Sequence, residues 1–335
     1  MRVKIEDVAR RAGVSTATVS LALNGNAKIN AQTRDRIEAV AKELGYRPNP
    51  YAKRLAMRKS RQIGLIVPDI ENIYYSALAQ HALNELLTSG YALTISTSMN
   101  SPQMERRIVS DMIGNCVEGL LIAPVEKPNG DVSYLDRLDG AGIPYLFVTS
   151  RYPQLERPSV MCDLYAGMTQ LLATLHAHGY RRMAMLSGSS DVYCFDLRDN
   201  AYRDFLREQG LEERRIEHLN GVRYDDSYRF VQHMDVEGVE AIVCVNDMMA
   251  LGAINALSER GLRVPEDIAV AGFDDSIFSR VSPVALTTVR QDVHGMAVRA
   301  AKWILDLARD GAEAEESLRP IPCEVIVRRS TGRLA

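Results

Sequence analysis

The sequence predicts an N-terminal all-α head with a helix-turn-helix and an α/β body of two doubly wound parallel-sheet lobes. Residues 5–24 carry apolar side chains at helical spacing on both sides of Gly13, which indicates two short helices. Residues 1–61 hold 14 Lys and Arg against 5 Asp and Glu, whereas residues 62–335 hold 26 against 38. In those later residues, short apolar strands alternate with amphipathic helices, as in parallel sheets that are covered on both faces.

The first two predicted helices meet at a turn that Gly13 supplies, and Ser15 is the natural N-cap of the second helix. The inward positions are Ile5, Val8, Ala9 and Ala12 in the first helix and Val14, Val19 and Leu23 in the second. The outward positions of the second helix are Thr16, Ala17, Ser20 and Leu21. An ordinary helical hairpin fits this spacing as well, but the excess of positive charge favours a module that neutralises DNA phosphates.

A third helix is predicted over about Ala31–Leu44, with Asn30 as its cap and Gly45 just past its end. The basic stretch that follows has Asn49 as a possible cap and Pro50 at the first helical position. A hinge helix there is only about two turns long and is marginal in water, so it needs another support. Its basic residues indicate DNA as that support, and a plain basic linker is the alternative.

These residues resemble the head and hinge of the lactose-repressor/galactose-repressor (LacI/GalR) family of bacterial transcription regulators. The matching motifs are Asp7-Val8-Ala9, Ala12-Gly13-Val14-Ser15, Thr18-Val19-Ser20, Asn24, Thr33-Arg34, Leu44-Gly45-Tyr46, Pro48-Asn49 and Ala52 to Leu55. The resemblance implies that each dimer places two recognition helices in successive major grooves, while paired hinge helices wedge Leu55 into a minor-groove base step. The DNA-binding residues it implies are Ser15, Thr16, Ala17, Thr18, Ser20, Leu21, Asn24, Tyr46, Asn49, Ala52, Lys53 and Leu55.

One departure from the family concerns base readout. Many members have arginine where this chain has Leu21, and leucine cannot read guanine bidentately. Ala17 likewise offers only a methyl group. We therefore expect thymine methyl contacts and hydrogen bonds from Thr16 or Ser20 to read the half-site.

The body is predicted to contain nine strands and six longer helices. The strands are Ile63 to Val67, Ala92 to Ser96, Gly119 to Ala123, Tyr145 to Thr149, Met183 to Ser187, Ala241 to Val245, Ile268 to Ala271, Leu286 to Val289 and Cys323 to Val327. The helices are Tyr75 to Ser89, Gln103 to Asn115, Leu164 to His178, Arg198 to Gln209, Asp247 to Arg260 and Gly295 to Asp310. This length exceeds one usual domain and indicates two lobes.

The resemblance continues through the body, whose family counterpart is similar to periplasmic sugar-binding proteins. The matching motifs are Ile63 to Pro68, Gly119 to Ile122, Ile143-Pro144, Asn246-Asp247, Met249 to Gly252, Gly261 to Pro265, Ile268, Gly272 to Asp275 and Leu286 to Val289. It implies two lobes joined by three crossovers, near Val160, Gln291 and Pro320. We therefore expect a DNA-binding domain at 1–48, a hinge helix and linker at 49–60, and an effector-binding and dimerisation domain at 61–335. The expected N-lobe is about 61–160 and 291–320, and the expected C-lobe is about 161–290 and 321–335.

A ligand of open parallel sheets sits beyond the carboxyl ends of the strands, which between two lobes means the cleft. By motif position the family's effector contacts correspond to Tyr74, Tyr75, Asp163, Arg198, Asn246, Asp274 and Gln291. We expect Arg198 to be the first residue of a helix. Arg223 or Tyr224 occupies a further position. Thr149-Ser150 stands where many members carry an acidic residue followed by Arg, and Arg151 is next to it. Thr149, Arg151 and Arg223 therefore hint at a basic cleft and an acidic sugar derivative.

Each of these residues also has a structural interpretation. Asp274 could cap a turn, Asn246 could cap the next helix, and Tyr74 or Tyr75 could belong to the core.

The predicted function is a ligand-responsive transcriptional repressor that binds a palindromic operator in double-stranded DNA as a homodimer. Its effector is a sugar or sugar derivative; a nucleobase or other polar corepressor, or a cleft enzyme fused to a DNA-binding head, is the alternative. The chain has no signal-peptide pattern, no apolar run that could span a membrane, and no cysteines with paired spacing, so we expect a cytoplasmic protein. Enzyme motifs are absent, and we predict no catalytic residue, metal or cofactor.

Overall fold

The computed structural model describes residues 3–23, 28–46, 60–125, 130–190, 192–212, 216–310 and 319–332. Internal contacts divide the chain into two units, Met1–Ser60 and Arg61–Ala335. The predicted hinge helix lies outside the described residues, and so do Asn24, Asn49, Ala52, Lys53 and Leu55.

The first unit contains the predicted helices α1 (Ile5–Ala12), α2 (Thr16–Leu23) and α3 (Ala31–Glu43). Gly13 has a φ of 66°, a left-handed conformation that glycine adopts without a steric penalty. The Ser15 hydroxyl accepts the Thr18 N–H at 3.1 Å, and the Asn30 side chain accepts the Thr33 N–H at 2.8 Å. Both predicted caps are therefore confirmed.

The three helices enclose a small apolar core. Val8, Val19 and Ile37 are fully buried at its centre. The remaining buried apolar residues are the alanines Ala9, Ala12, Ala22 and Ala41, which let the helices approach closely. Val14 and Leu23, also predicted to face inward, pack against this core but are only partly buried.

The body begins with a five-stranded parallel sheet. Its strands are β1 (Gln62–Val67), β2 (Ala92–Thr97), β3 (Gly119–Ile122), β4 (Tyr145–Val148) and β5 (Ser159–Val160), in the order β2-β1-β3-β4-β5. The helices between them are α4 (Ile73–Thr88), α5 (Pro102–Gly114) and the short α6 (Asp136–Gly140). Strand β1 is buried along almost its whole length, because both faces of the sheet are covered.

The second sheet has six strands. They are β6 (Met183–Ser187), β7 (Ile216–His218), β8 (Ala241–Cys244), β9 (Ala269–Asp274), β10 (Thr287–Arg290) and β11 (Glu324–Ile326), in the order β11-β10-β9-β8-β6-β7. Only the β10–β11 pair is antiparallel. The helices are α7 (Leu164–Ala177), α8 (Tyr193–Glu208), α9 (Tyr224–His233), α10 (Asp247–Glu259), α11 (Ile277–Val281) and α12 (Val293–Asp310). Helix α12 packs against α4 and β3 of the first sheet.

The chain therefore passes between the two sheets three times: from β5 to α7, from β10 to α12 and from α12 to β11. The first and third of these connections run side by side, because Cys162 pairs with Ile321 in an isolated parallel bridge.

All nine predicted strands are present, and β6 has the predicted ends. Strands β5 and β7 and helices α6, α9 and α11 were not expected from the sequence; they are short, so few residues carry a periodic pattern. The expectation that Arg198 opens a helix is wrong, since α8 begins at Tyr193. Its N-cap, Val192, makes no side-chain cap hydrogen bond, so the sequence has no start signal there.

Candidate functional site

A cavity of about 750 Å³ lies where the carboxyl ends of the strands of the two lobes face each other. This volume is in the range of small-molecule sites. Nine of the predicted positions line it: Tyr74, Tyr75, Thr149, Arg198, Arg223, Tyr224, Asn246, Asp274 and Gln291. Polar residues that were not predicted also line it, among them Asp69, Glu71, Asn72, Asn100, Ser150, Ser189 and Asn220. The only feature of the sequence that could have identified them is their position, since several of them follow predicted strands.

Arg151 and Asp163 are not among the lining residues. The Asp163 carboxylate accepts the Ala166 N–H at 3.0 Å and caps α7. The Arg151 guanidinium instead donates to the Tyr193 hydroxyl at 3.2 Å. An effector contact by either residue stays a prediction.

A chain of hydrogen bonds joins the two lobes at the floor of the cavity. The Tyr74 hydroxyl on α4 donates to Gln291 Oε1 at 3.0 Å, and Gln291 Nε2 donates to Asp274 Oδ1 at 2.8 Å. Burial, and secondarily the nearby Asp247 carboxylate, raises the pKa of Asp274 to about 8. At neutral pH Asp274 is thus mostly protonated, so it can both donate and accept a hydrogen bond.

Arg198 supplies the buried positive charge of the site. Its residue is 5% exposed, and its guanidinium carbon lies 4.2 Å from the centroid of the Phe273 ring. Among the described residues, Arg198 Nε has no hydrogen-bond partner. A buried donor without a partner costs about 1–3 kcal/mol, which a ligand oxygen would relieve.

Two further carboxylates stand behind Asp274. Asp247 accepts the Thr288 hydroxyl at 2.5 Å and the Ser276 N–H at 2.7 Å, yet burial raises its pKa to about 7. For Asp275, burial opposes ionisation, but hydrogen bonds from Arg328 and Arg290 outweigh it and lower its pKa. The Arg328 contact is 2.5 Å and the Arg290 contact is 2.8 Å. Arg328 was not identified from the sequence, because it joins this cluster from the last described segment of the chain.

Asn246 has the structural role that was considered for it. Its Oδ1 accepts the Met249 N–H at 2.8 Å, which caps α10, and its Nδ2 donates to the Val222 carbonyl at 2.8 Å. It lines the cavity with its hydrogen bonds already made. Asp274 has a φ of 120° where β9 ends, and its carboxylate accepts the Gln291 hydrogen bond; a turn-capping role for it stays a prediction.

Ionic contacts bridge the mouth of the cavity. Arg223, just before α9, contacts Asp69 at 2.7 Å and Glu71 at 3.4 Å, and both carboxylates follow β1 in the other lobe. The hydrogen bond that the Arg223 guanidinium donates to the Asp69 carboxylate raises the pKa of Arg223. The expected basic excess is therefore wrong at Arg223, where two acidic residues balance the charge; Arg198 remains the buried cation.

In the head, the predicted outward face of α2 is confirmed. Thr16, Ala17 and Leu21 are exposed, and Thr18 and Ser20 are partly exposed. Leu21 is 39% exposed, unusual for so apolar a side chain. Helix α2 carries no charged residue, so any contact it makes with a phosphate comes from hydroxyl or backbone N–H donors. Over the part of the chain that the structure describes, no helix is long and apolar enough to cross a membrane.

Comparisons with known proteins match both parts of the chain. Residues 4–49 match the model of bacterial regulatory proteins of the lacI family, and residues 172–331 match a periplasmic binding protein-like domain. Catabolite control protein A of Priestia megaterium is 30% identical over 335 residues, covering 99% of this chain and 100% of that protein.

Two solved structures are similar over nearly the whole chain. The lac repressor dimer bound to operator and the anti-inducer ONPF has a TM-score of 0.82 at 26% identity and covers 99% of both chains. A complex of the transcriptional regulator CelR with cellobiose has a TM-score of 0.71 at 26% identity, covering 98% of this chain and 100% of that chain.

Proposed function

The chain belongs to the LacI family of bacterial regulatory proteins, and from that premise we propose that it represses transcription as a dimer and that a small polar metabolite changes its affinity for the operator. It is a DNA-binding regulator rather than an enzyme, so the alternative of a cleft enzyme is wrong. The observation that carries the proposal is the buried, unpaired Nε of Arg198 at a cavity that polar and apolar residues both line, in a chain that also has a helix-turn-helix head.

The head is proposed to read a palindromic operator through α2. Its exposed face is small and uncharged, which favours methyl and hydroxyl contacts with base edges. The DNA-binding roles of Ser15, Tyr46 and the residues of the predicted hinge helix belong to this proposal. Leu55 is the proposed wedge, since an apolar side chain that unstacks a base step kinks the duplex.

The effector is proposed to bind between the lobes with its oxygens on Arg198, Asp274 and Gln291. The guanidinium offers an unused donor, and the mostly protonated Asp274 carboxyl can donate to or accept from a hydroxyl. The CelR structure holds cellobiose and the lac repressor structure holds the anti-inducer ONPF; the cellobiose supports a carbohydrate or carbohydrate derivative here.

Two exposed apolar surfaces are proposed to form the dimer interface. Ile95 and Met99 lie on or just after β2, the edge strand of the first sheet, and Met99 is 61% exposed. Ile277, Phe278 and Val281 lie on α11, and Val281 is 65% exposed. Large exposed apolar side chains in groups indicate contact surfaces, and the related lac repressor is a dimer.

Coupling is proposed to run through the lobe closure that an effector drives. A shift of one lobe moves its dimer partner and changes the spacing of the two short hinge segments, which fold only when supported. The effector can shift operator affinity only by its differential affinity for the two states, typically about 1–3 kcal/mol. The boundaries 1–48, 49–60 and 61–335, the two-lobe division and a cytoplasmic location are part of the same proposal.

One experiment tests the effector site. A thermal-shift screen of the full chain with sugars, sugar acids and nucleobases is expected to give a carbohydrate that raises the Tm, as ligands that bind only the folded state do. Asp274→Ala should abolish that shift and leave operator affinity unchanged. A rise in Tm with nucleobases alone would replace the carbohydrate assignment, and an undiminished shift in Asp274→Ala would remove this residue from the site.

A second experiment tests the DNA site. Duplexes selected from a random pool by the full chain are expected to be palindromic and to lose affinity steeply with salt. Leu55→Ala should weaken binding and remove the bend in a circular-permutation gel, whereas the control Leu87→Ala, an exposed residue of the body, should change neither. An unchanged bend in Leu55→Ala would contradict the wedge.

A further inference from the structure

One fully buried carboxylate belongs to the helix that carries Arg198. Asp199 on α8 is 0% exposed and follows Arg198 directly in the sequence. Its Oδ1 accepts the Ser187 hydroxyl at 2.7 Å, and its Oδ2 lies 2.7 Å from Nε2 of His218. A carboxylate only accepts hydrogen bonds, so the His218 ring is the donor. Asp199 does not line the cavity, so it cannot act on an effector by direct contact.

Both partners of Asp199 are the last residues of strands. Ser187 ends β6 and His218 ends β7, and these two strands are neighbours in the second sheet. The Leu219 N–H donates to the Ser187 carbonyl at 2.9 Å, which keeps the two strand ends together. The residues just after the strand ends line the cavity, namely Gly188, Ser189, Leu219 and Asn220. One carboxylate therefore joins the ends of two strands to the turn of α8 that carries Arg198.

The start of α8 is not fixed by a cap. Val192, its N-cap residue, makes no side-chain cap hydrogen bond. The Tyr202 hydroxyl donates to the Met183 carbonyl at 2.7 Å and holds a later turn of the helix to the start of β6. At the other end of that strand, which faces the cavity, Asp199 supplies the directional contact between helix and sheet.

The position of this turn decides where the donors of Arg198 point. Its guanidinium stands at the end of a long side chain with several rotatable bonds, and its Nε has no hydrogen-bond partner among the described residues. The contact with the Phe273 ring, at 4.2 Å from the ring centroid, does not fix the direction of an N–H bond. Hydrogen bonds weaken steeply when donor and acceptor are misaligned, so a small shift of the turn lowers the affinity for an effector oxygen.

We propose that Asp199 is a positioning residue of the cavity, which through Ser187 and His218 fixes the turn of α8 from which Arg198 reaches the cavity. The inference rests on the proposed function only for the role of Arg198 toward an effector. The alternative is that these three residues stabilise the fold without affecting the placement of Arg198. In that case their loss lowers stability and leaves the guanidinium as accessible as before.

Phenylglyoxal, a small reagent that modifies arginine, measures the placement of Arg198 without an effector. Peptide mass spectrometry of the full chain gives its rate of reaction at each arginine. His218→Leu removes a donor to Asp199 at a side chain that is 32% exposed, whereas His218→Gln retains an N–H donor. We expect Arg198 to react roughly tenfold faster in His218→Leu, because a hydrogen bond to a carboxylate shifts a local opening equilibrium by about that factor. Arg198 in His218→Gln should react at the wild-type rate.

Tyr165→Phe is a matched control. It removes a hydrogen bond of 2.9 Å to the Asp204 carboxylate on the same helix, and neither of these residues lines the cavity. The rate at Arg198 should not change in this control. Arg223, whose side chain is 61% exposed, should react equally in every variant. All rates are measured under conditions at which urea denaturation shows each variant to be folded.

Ser187→Ala removes the other donor to Asp199 and provides a second test, in which Arg198 should again react faster. An unchanged rate at Arg198 in either His218→Leu or Ser187→Ala would overturn the positioning role. Equal acceleration in His218→Leu and His218→Gln would overturn it as well, because the hydrogen bond would then not be the cause. The measurement uses neither DNA nor an effector, so a failure of the proposed function leaves its result unaffected.

Discussion

Replacement of Arg198 by methionine separates the binding role of this residue from a structural one. Two effects of Arg198 on the stability of the folded chain oppose each other. Its partnerless Nε costs about 1–3 kcal/mol, whereas the guanidinium over the Phe273 ring contributes about 2 kcal/mol. Methionine keeps an apolar contact with the ring, itself about 0.3–1.5 kcal/mol, and needs no hydrogen-bond partner. We therefore expect Arg198→Met to change the free energy of unfolding by less than about 1 kcal/mol.

The affinity for the effector should change much more than the stability does. A hydrogen bond from a charged donor contributes about 1.5–3 kcal/mol to binding. At about 1.4 kcal/mol for each tenfold change, the Kd should rise roughly 10- to 150-fold.

Urea denaturation of the full chain measures the first quantity, and calorimetry with the metabolite from the thermal-shift screen measures the second. Arg207→Met is a matched control, because it removes an arginine from the same helix whose side chain is 75% exposed. An exposed ion pair contributes little, so neither quantity should move in the control. A loss of more than about 2 kcal/mol in Arg198→Met together with an unchanged Kd would refute the reasoning and make Arg198 a structural residue.

The other predictions concern pH, the mouth of the cavity, the buried ion pair and the dimer. Because the pKa of Asp274 is raised from 3.8 to about 8, the stabilisation that this residue gives is complete below about pH 4 and is lost as the pH rises to about 8. The free energy of unfolding of the wild-type chain, measured in urea relative to that of Asp274→Asn, should therefore fall over that pH range. Free energies of unfolding that depend on pH in the same way in both chains would contradict this. Arg223→Ala, at a side chain 61% exposed, should change the free energy of unfolding in urea by less than about 1 kcal/mol yet speed amide exchange at 69–72; unchanged exchange would mean that the contact does not hold the lobes together. Arg328→Ala should lower the free energy of unfolding in urea by about 3 kcal/mol, because it removes an ion-pair partner of the buried Asp275 carboxylate. A decrease of less than about 1 kcal/mol would show that Arg290 alone is enough to compensate this carboxylate. Val281→Asp should weaken the dimer in sedimentation equilibrium, and an unchanged dissociation constant would place the interface elsewhere.

Much of the fold could be predicted because the buried strands are continuous apolar runs. Every residue of Met183–Ser187 is buried, and its predicted ends agree with those of β6. Strands β5 and β7 have two and three residues, too few for a run or an alternation to be recognised. The start of α8 was missed for a different reason, since a helix without a capping side chain leaves no local signal.

Much of the cavity lining could be predicted because parallel strands end at one edge of a sheet. Asp274 is the last residue of β9 and Asn246 lies just after the adjacent β8, so their proximity follows from topology alone. The partners of these residues could not be predicted in the same way. Arg223 and Asp69 are 154 positions apart, and no local pattern in the sequence brings the two together. At Arg151 the sequence-based prediction is off by one residue: its neighbour Ser150 lines the cavity, whereas Arg151 contacts Tyr193 instead.

In the body, the strands stabilise the fold and the residues around the cavity supply the contacts for a ligand. Buried apolar strands hold the two sheets together, while the polar residues that line the cavity sit mostly at strand ends, helix starts and loops. Substitutions at the rim exchange hydrogen-bonding groups without opening a void among the strands. Such an architecture lets new ligand preferences evolve by point mutation at small thermodynamic risk, whereas the buried Arg198 is the position at which a change of preference meets the most resistance.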